Sequence, residues 1–237
     1  MGSVSSPVAS PPDVGVVIVA AGAGVRAGPG EPKQFRPIHG VPMLLRTLRP
    51  FTSHPAVSQV VVALPASVAE RPPEWLGKLV GDRLRLVPGG AARAQSVRAG
   101  LRALPPGASV VLVHDGARPF VSRETIDNVI ARARAGVGAV AAVPLHDTIK
   151  EVADDRITRT VARERLWRAQ TPQGFPRAMI DEAYARLRKE DPVPTDDAEL
   201  CERAGFAVEV IPDTPHNLKV TTADDFRIAE ALARELR

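Results

Sequence analysis

Lysine is scarce in this chain of 237 residues, with five against 26 arginines, and two of the five stand in turn-rich segments. Lys33 closes GAGVRAGPGEPK, residues 22–33, which also carries Arg26. Glycines let backbone N–H groups approach phosphate oxygens closely. A glycine loop with two cations can wrap a triphosphate and stabilise charge on a departing pyrophosphate; the alternative is a solvated basic loop. Lys219 lies in NLKVT, residues 217–221. Its compact, mobile charge suits a phosphoryl centre that moves. The apolar run SVVLVH leads into Asp115, Gly116, Ala117 and Arg118. A carboxylate delivered there offers Mg²⁺ a hard oxygen ligand while substrate phosphates fill other positions. The competing reading is a turn-capping Asp115 paired to Arg118. GGAARAQSV, residues 89–97, is a second glycine turn before a helical pattern. Its N–H groups and Ser96 can bind an anion or the edge of a base, or simply cap the helix.

Several familiar chemistries lack their residues. Gly22-x-Gly24-x-x-Ala27 satisfies the dinucleotide fingerprint, but Gly28, Pro29, Gly30 and Pro32 would break the helix that must hold the pyrophosphate. The second apolar run ends Leu64-Pro65, with no acid for a ribose. No Gly-Lys-Ser/Thr follows the loop, so it is not a Walker motif. The histidines, His39, His54, His114, His146 and His216, show no metal-ligand spacing, and Cys201 is the only cysteine. There is no Gly-x-Ser-x-Gly elbow.

Positioning these loops requires strands. Short apolar runs occur at 14–21, 58–64, 84–88, 109–114, 138–143 and 207–212. Their continuous apolar character predicts strands covered on both faces, hence a mostly parallel sheet. Helical spacing appears in 93–104 (Val97, Leu101, Leu104) and in 122–134 (Ile126, Val129, Ile130, Ala133). The capping box Thr222-x-x-Asp225 opens a last helix, with Phe226, Ala229, Ala233 and Leu236 on one stripe. Alternating strands and helices predict an α/β, doubly wound, Rossmann-like fold with ligands at the carboxyl ends of the strands. Residues 144–171 break the rhythm. Asp154-Asp155 can turn two polar strands, 147–152 and 156–161, into a β-hairpin arm projecting from the body.

Composition narrows the partners. The chain is 44 % apolar and 24 % charged, which excludes a disordered chain, a collagen and a disulfide scaffold. A net charge of +4 spread over this length is too mild for a nucleic-acid footprint. Aromatic residues, 4 % of the chain, do not suffice for a base-stacking platform. No apolar run has the length of a membrane helix. A lone cysteine agrees with a reducing cytoplasm. MGSVSSPVASPPD, residues 1–13, lacks a secretory signal pattern and reads as a loose tail, leaving 14–237 as one domain.

AAGAGVR, PKQF, GGAARAQSV, VHDGARPF, DTIK, LWRAQTPQGF, TDDA and NLKVT occur in that order across residues 20–221. Together they closely resemble the 2-C-methyl-D-erythritol 4-phosphate cytidylyltransferases of non-mevalonate isoprenoid biosynthesis. The resemblance implies a nucleotidyltransferase fold and a homodimer joined through the arm at about 144–171. It implies transfer of a cytidylyl group from CTP to 2-C-methyl-D-erythritol 4-phosphate, with Mg²⁺ and release of pyrophosphate. By the same resemblance, Arg26, Lys33 and Lys219 are the catalytic cations and Asp115 the metal ligand. Ala20, Ala21, Gly22, Gly90, Ala91, Ser96 and Gly116 surround the cytidine nucleotide. Arg118, Thr148, Thr195 and Thr221 match positions near the methylerythritol phosphate, and Arg163 and Thr171 match residues that reach the partner's site. A ribitol 5-phosphate cytidylyltransferase, sharing the CTP loop, and a nucleotide-binding module without chemistry are the rival readings.

Overall fold

The structure is a computed structural model that describes residues 12–22, 32–188 and 190–236. Arg26, most of the first glycine loop and the tail through residue 11 lie outside the described residues.

The chain runs β1 (Val14–Val19), β2 (Pro37–Ile38), β3 (Val41–Pro42), α1 (Met43–Thr52), β4 (Val57–Leu64), α2 (Ala66–Glu70), α3 (Glu74–Gly77), β5 (Leu84–Pro88) and α4 (Arg93–Ala103). It continues with β6 (Val110–Asp115), α5 (Arg123–Arg134), β7 (Gly138–Pro144), β8 (Ile149–Ala153), β9 (Arg156–Val161), β10 (Trp167–Pro176), α6 (Arg177–Arg186), α7 (Asp197–Arg203), β11 (Val208–Pro212) and α8 (Ala223–Glu235). Seven strands form one sheet in the order β11-β7-β10-β6-β1-β4-β5. All neighbours are parallel except β10, which runs antiparallel to both β6 and β7.

The continuous apolar runs are explained by burial on both faces. Val14, Val16 and Ile18 of β1 face one core with Leu44, Leu48 and Phe51 of α1 and Ile126, Val129 and Ile130 of α5. Val17 points the other way, into a core with Val97 and Leu101 of α4, Ile180 and Ala183 of α6, and Leu200 and Cys201 of α7. Each strand thus divides between two cores at the period-two alternation of the pleat. Ala229 and Ala233 of α8 pack on Ile38, Met43, Ala117 and Val220, which draws the chain's end against the segment that follows the first loop.

Two expectations need correction. The sequence grouped 167–171 with the arm, but these residues begin β10, an interior strand of the main sheet. WRAQTPQGFP has neither a β-branched run nor an alternation, so no strand signal marked it. The hairpin itself is β8 and β9, and Asp154 and Asp155 at its tip both have positive φ, 48° and 60°. That backbone suits a tight hairpin turn, and Asp tolerates it. Leu236 is 54 % exposed rather than part of the buried stripe, because α8 ends before it.

Candidate active site

A cavity of about 590 Å³ opens at the carboxyl ends of β1, β5 and β6. Its size suits a nucleotide. The sheet dictates its walls. Ala20, Ala21 and Gly22 leave β1; Gly90, Ala91 and Ala92 leave β5; Asp115, Gly116 and Ala117 leave β6. Gly116 must be small, since a Cβ there would lie 2.8 Å from the Ala20 Cβ and 3.0 Å from the Val19 carbonyl oxygen. Ser96, buried at the first turn of α4, accepts a hydrogen bond from the Gly90 N–H at 3.1 Å and so holds the second glycine turn closed.

Two lysines converge from distant parts of the sequence. Lys33 is half-buried and donates from Nζ to the Val220 carbonyl at 2.9 Å. The neighbouring Lys219 places its Nζ 2.8 Å from Asp115 Oδ2. Asp115 also faces Arg93 at 3.5 Å and Arg118 at 3.6 Å. Burial alone would raise its pKa, but Lys219, Arg93 and Arg118 outweigh that and hold the carboxyl well below the usual carboxylate range. Asp115 is therefore an anionic oxygen at the cavity wall.

Behind it lies a fixed polar relay. The Asp115 N–H donates to Thr171 Oγ1 at 3.0 Å, and Thr171 Oγ1 lies 3.0 Å from His114 Nδ1. His114 Nε2 lies 3.0 Å from the Arg118 carbonyl. A carbonyl only accepts, so Nε2 carries the proton and Nδ1 accepts from the Thr171 hydroxyl. Complete burial pushes the His114 pKa down to about 4, which keeps the ring neutral. Arg118 is itself buried and donates to the Asn217 carbonyl at 2.7 Å. Gln170 donates to the same carbonyl at 2.9 Å, and Asn217 donates to the Thr171 carbonyl at 2.8 Å. The β10–β7 pairing breaks between Ala169 and Gln173, and the residues in that break make these bonds.

Of the residues named from the sequence, Lys33, Lys219, Asp115, Ala20, Ala21, Gly22, Gly90, Ala91, Ser96, Gly116 and Thr221 line this one cavity. The Thr221 hydroxyl donates to Asp225 at 2.6 Å, next to the capping box of α8. Arg118 and Thr171 lie in the polar relay behind Asp115. Thr148, Arg163 and Thr195 are exposed and are not among the residues that line the cavity. Arg163 donates to the His146 carbonyl within the arm's base, and Thr195 donates to Glu199 at 2.7 Å.

Arg93 and Asp197 were missed. Arg93 lines the cavity, with Nη1 2.7 Å from Asp197 Oδ2 and Nε 3.5 Å from Asp115. Asp197 is buried and also accepts from the Tyr184 hydroxyl at 2.7 Å. Arg93 stood inside GGAARAQSV, where a cation in the first turn of a helix was the available signal. Asp197 follows the N-cap Asp196 and looked like an ordinary first-turn acid.

Residues 14–235 match the family described as IspD, 2-C-methyl-D-erythritol 4-phosphate cytidylyltransferase. The 2-C-methyl-D-erythritol 4-phosphate cytidylyltransferase of Syntrophus aciditrophicus is 40 % identical over 231 residues, covering 94 % of this chain and 97 % of that protein. The protein of the same name from Frankia casuarinae is 45 % identical over 228 residues, covering 95 % and 83 %. The crystal structure of 2-C-methyl-D-erythritol 4-phosphate cytidylyltransferase from Thermus thermophilus superposes with a TM-score of 0.79 at 36 % identity, covering 94 % of this chain and 99 % of that one.

Proposed function

The chain belongs to the 2-C-methyl-D-erythritol 4-phosphate cytidylyltransferase family, and we propose that its cavity joins CTP to 2-C-methyl-D-erythritol 4-phosphate through the residues described above. It is a nucleotidyltransferase, with 4-diphosphocytidyl-2-C-methyl-D-erythritol and pyrophosphate as products. The observation that carries the assignment of roles is the meeting of Lys33, Lys219 and Asp115 in one nucleotide-sized cavity.

A phosphate oxygen of the methylerythritol phosphate attacks the α-phosphorus of CTP in line. One P–O bond forms, the bond from the α-phosphorus to its bridging oxygen breaks, and pyrophosphate leaves with that electron pair. A phosphate dianion has no proton to lose, so no general base is required. His114 is neutral, buried and engaged at both nitrogens, in keeping with that chemistry. Lys33 and Lys219 neutralise charge that grows on the phosphoryl oxygens and on the leaving group. Arg26 is assigned the same task from its place in the glycine loop. The backbone of Ala20–Gly22, Gly90 and Ala91 reads the base, with Ser96 fixing the turn and Gly116 near the ribose.

The donor set fits Mg²⁺. Asp115 is a single ionised carboxylate, and no cluster of three metal-ligating side chains occurs among the described residues. One carboxylate plus substrate phosphates is the usual way that ion is held. Bound there, the ion would supply Lewis-acid stabilisation of phosphate oxygens.

The active unit is assigned as a homodimer, with 14–237 as one domain in each chain. Thr148 and Thr195, exposed outside the cavity lining of their own chain, are assigned to positions near the methylerythritol phosphate, and exposed Arg163 is assigned to the partner's site. Val152 and Ile157, paired on the arm, are 56 % and 64 % exposed, an apolar surface suited to a second copy. Among the described residues no helix is long and apolar enough to cross a membrane. A cytoplasmic location is part of the reading, in which the lone Cys201 is a buried free thiol. Turnover of 2-C-methyl-D-erythritol 4-phosphate against ribitol 5-phosphate, each with CTP, tests the acceptor. Preference for the former is expected, and faster turnover of ribitol 5-phosphate would overturn the assignment.

A further inference from the structure

A second cavity, of about 460 Å³, lies between the C-terminal half of α4 and α6, and among the described residues it shares no lining residue with the first. The two sit at opposite ends of β6. Asp115 ends that strand, whereas the Arg177 N–H donates to the carbonyl of Ser109, just before it, at 2.8 Å. Six strand residues separate the two ends by roughly 17 Å.

Among the described residues three guanidinium groups line it, those of Arg98, Arg102 and Arg177, against the one carboxylate of Asp181. Arg177 spends Nε on Asp181 at 2.6 Å and Nη2 on the Leu101 carbonyl at 3.0 Å. Its Nη1 is buried and has no hydrogen-bond acceptor among the described residues. Arg98 donates to the Tyr184 carbonyl at 2.5 Å and stands 5.8 Å from the centre of the Tyr184 ring, with no carboxylate partner among the described residues. Arg102 is exposed and makes no ion pair among the described residues. The lining therefore carries an excess of two positive charges and one buried donor without an acceptor. Leu101, Tyr184 and Leu187 supply an apolar wall beside these cations.

We propose that this cavity binds a small organic phosphate. The phosphoryl oxygens accept from Arg177 Nη1 and from Arg102, which satisfies the buried donor, because guanidinium groups pair with phosphate in strong charge-assisted bonds. The organic part lies against Leu101, Tyr184 and Leu187. The volume is that of a small-molecule site rather than of a docking groove. The buried Nη1 of Arg177 separates this site from the exposed arginines of the chain.

Phenyl phosphate serves as the probe in a ¹H–¹⁵N NMR titration of the full chain, with inorganic phosphate as comparator. Amides of residues 98–102 and 184–187 report this cavity, and those of Ala20–Gly22 report the first. Saturable shifts of the former group are expected, with phenyl phosphate binding more tightly than inorganic phosphate. Arg102→Glu should weaken that binding by about tenfold or more, since it replaces attraction by repulsion. It should leave the cytidylyl transfer rate unchanged, because Arg102 is outside the first cavity, and lower the thermal midpoint by only a few degrees, since it places an anion in the last turn of α4. Shifts confined to Ala20–Gly22, or shifts at 98–102 and 184–187 that Arg102→Glu does not weaken, would overturn the proposal.

Discussion

Asp115 is one carboxylate among three cations, and its environment sets testable limits. Asp115→Asn keeps the shape and removes the charge, leaving Lys219, Arg93 and Arg118 to repel one another. The variant is expected to need more Mg²⁺ and to turn over more slowly, measured as rate against metal concentration; wild-type rates at ordinary Mg²⁺ would reduce Asp115 to a turn residue. Lys33→Ala should lower kcat by roughly 10²–10³, the scale of losing one preorganised cation at a reacting centre. Its hydrogen bond to Val220 contributes about 1 kcal/mol, so the thermal midpoint should fall by only about 2–4 °C. Titration adds a second axis. The native His114 pKa, about 4, lies below its ordinary 6.5, so the folded state binds fewer protons than the unfolded one in that interval. The stability from neutral His114 is full above about pH 6.5 and is lost as pH falls toward 4, by at most about 1.4 kcal/mol per pH unit. Asp115, depressed in the same sense, contributes stability above the ordinary carboxylate pKa of 3.8 that is lost only in stronger acid. Denaturant midpoints measured from pH 7 to 4 should therefore decline, and His114→Asn should flatten the decline, leaving the smaller part due to buried His54. A variant as steep as the wild type would contradict the buried neutral ring.

Elements differ in how much of them the sequence discloses. β1, β4, β6 and β7 are covered on both faces, and that coverage is what makes an apolar run continuous. α8 announces itself through Thr222 and Asp225, which do exchange hydrogen bonds. Thr222→Ala is expected to cost about 1 kcal/mol, read by chemical denaturation. β10 was invisible because, Phe175 aside, its large buried side chains, Gln170, Thr171 and Gln173, serve hydrogen bonds rather than apolar packing. Much of the cavity was legible for the opposite reason: backbone approach to a phosphate demands glycines, and these stand out in a sequence. Arg93 and Asp197 were not, since their partner is each other across 104 positions and no local spacing records it. The arm carries its own prediction. Val152→Asp with Ile157→Asp should convert the proposed dimer to a monomer in sedimentation while leaving the fold intact, because both side chains are exposed. A dimer that persists would place the interface elsewhere.

At the scale of the whole molecule, the proposal is an active site assembled from two chains. A two-fold dimer exchanges arms reciprocally, so each site would combine Lys33 of one chain with Arg163 of the other. Lys33→Ala and Arg163→Ala chains, each nearly inactive alone, should recover roughly a quarter of wild-type activity when mixed and allowed to exchange. About half of the dimers are then mixed, and each mixed dimer has one site with both residues intact. No recovery despite proven exchange would confine both residues to one chain. The central claim is cytidylyl transfer itself, and its most direct test is pyrophosphate release with 2-C-methyl-D-erythritol 4-phosphate over the four ribonucleoside triphosphates. Cytosine presents an N4 amino donor beside the N3 and O2 acceptors, and UTP reverses the donor pattern at positions 3 and 4. With base recognition by the backbone of the Ala20–Gly22 and Gly90–Ala91 turns, CTP should exceed UTP by at least ~10²-fold in kcat/KM, with the purines slower still; equal turnover of UTP and CTP would contradict the account.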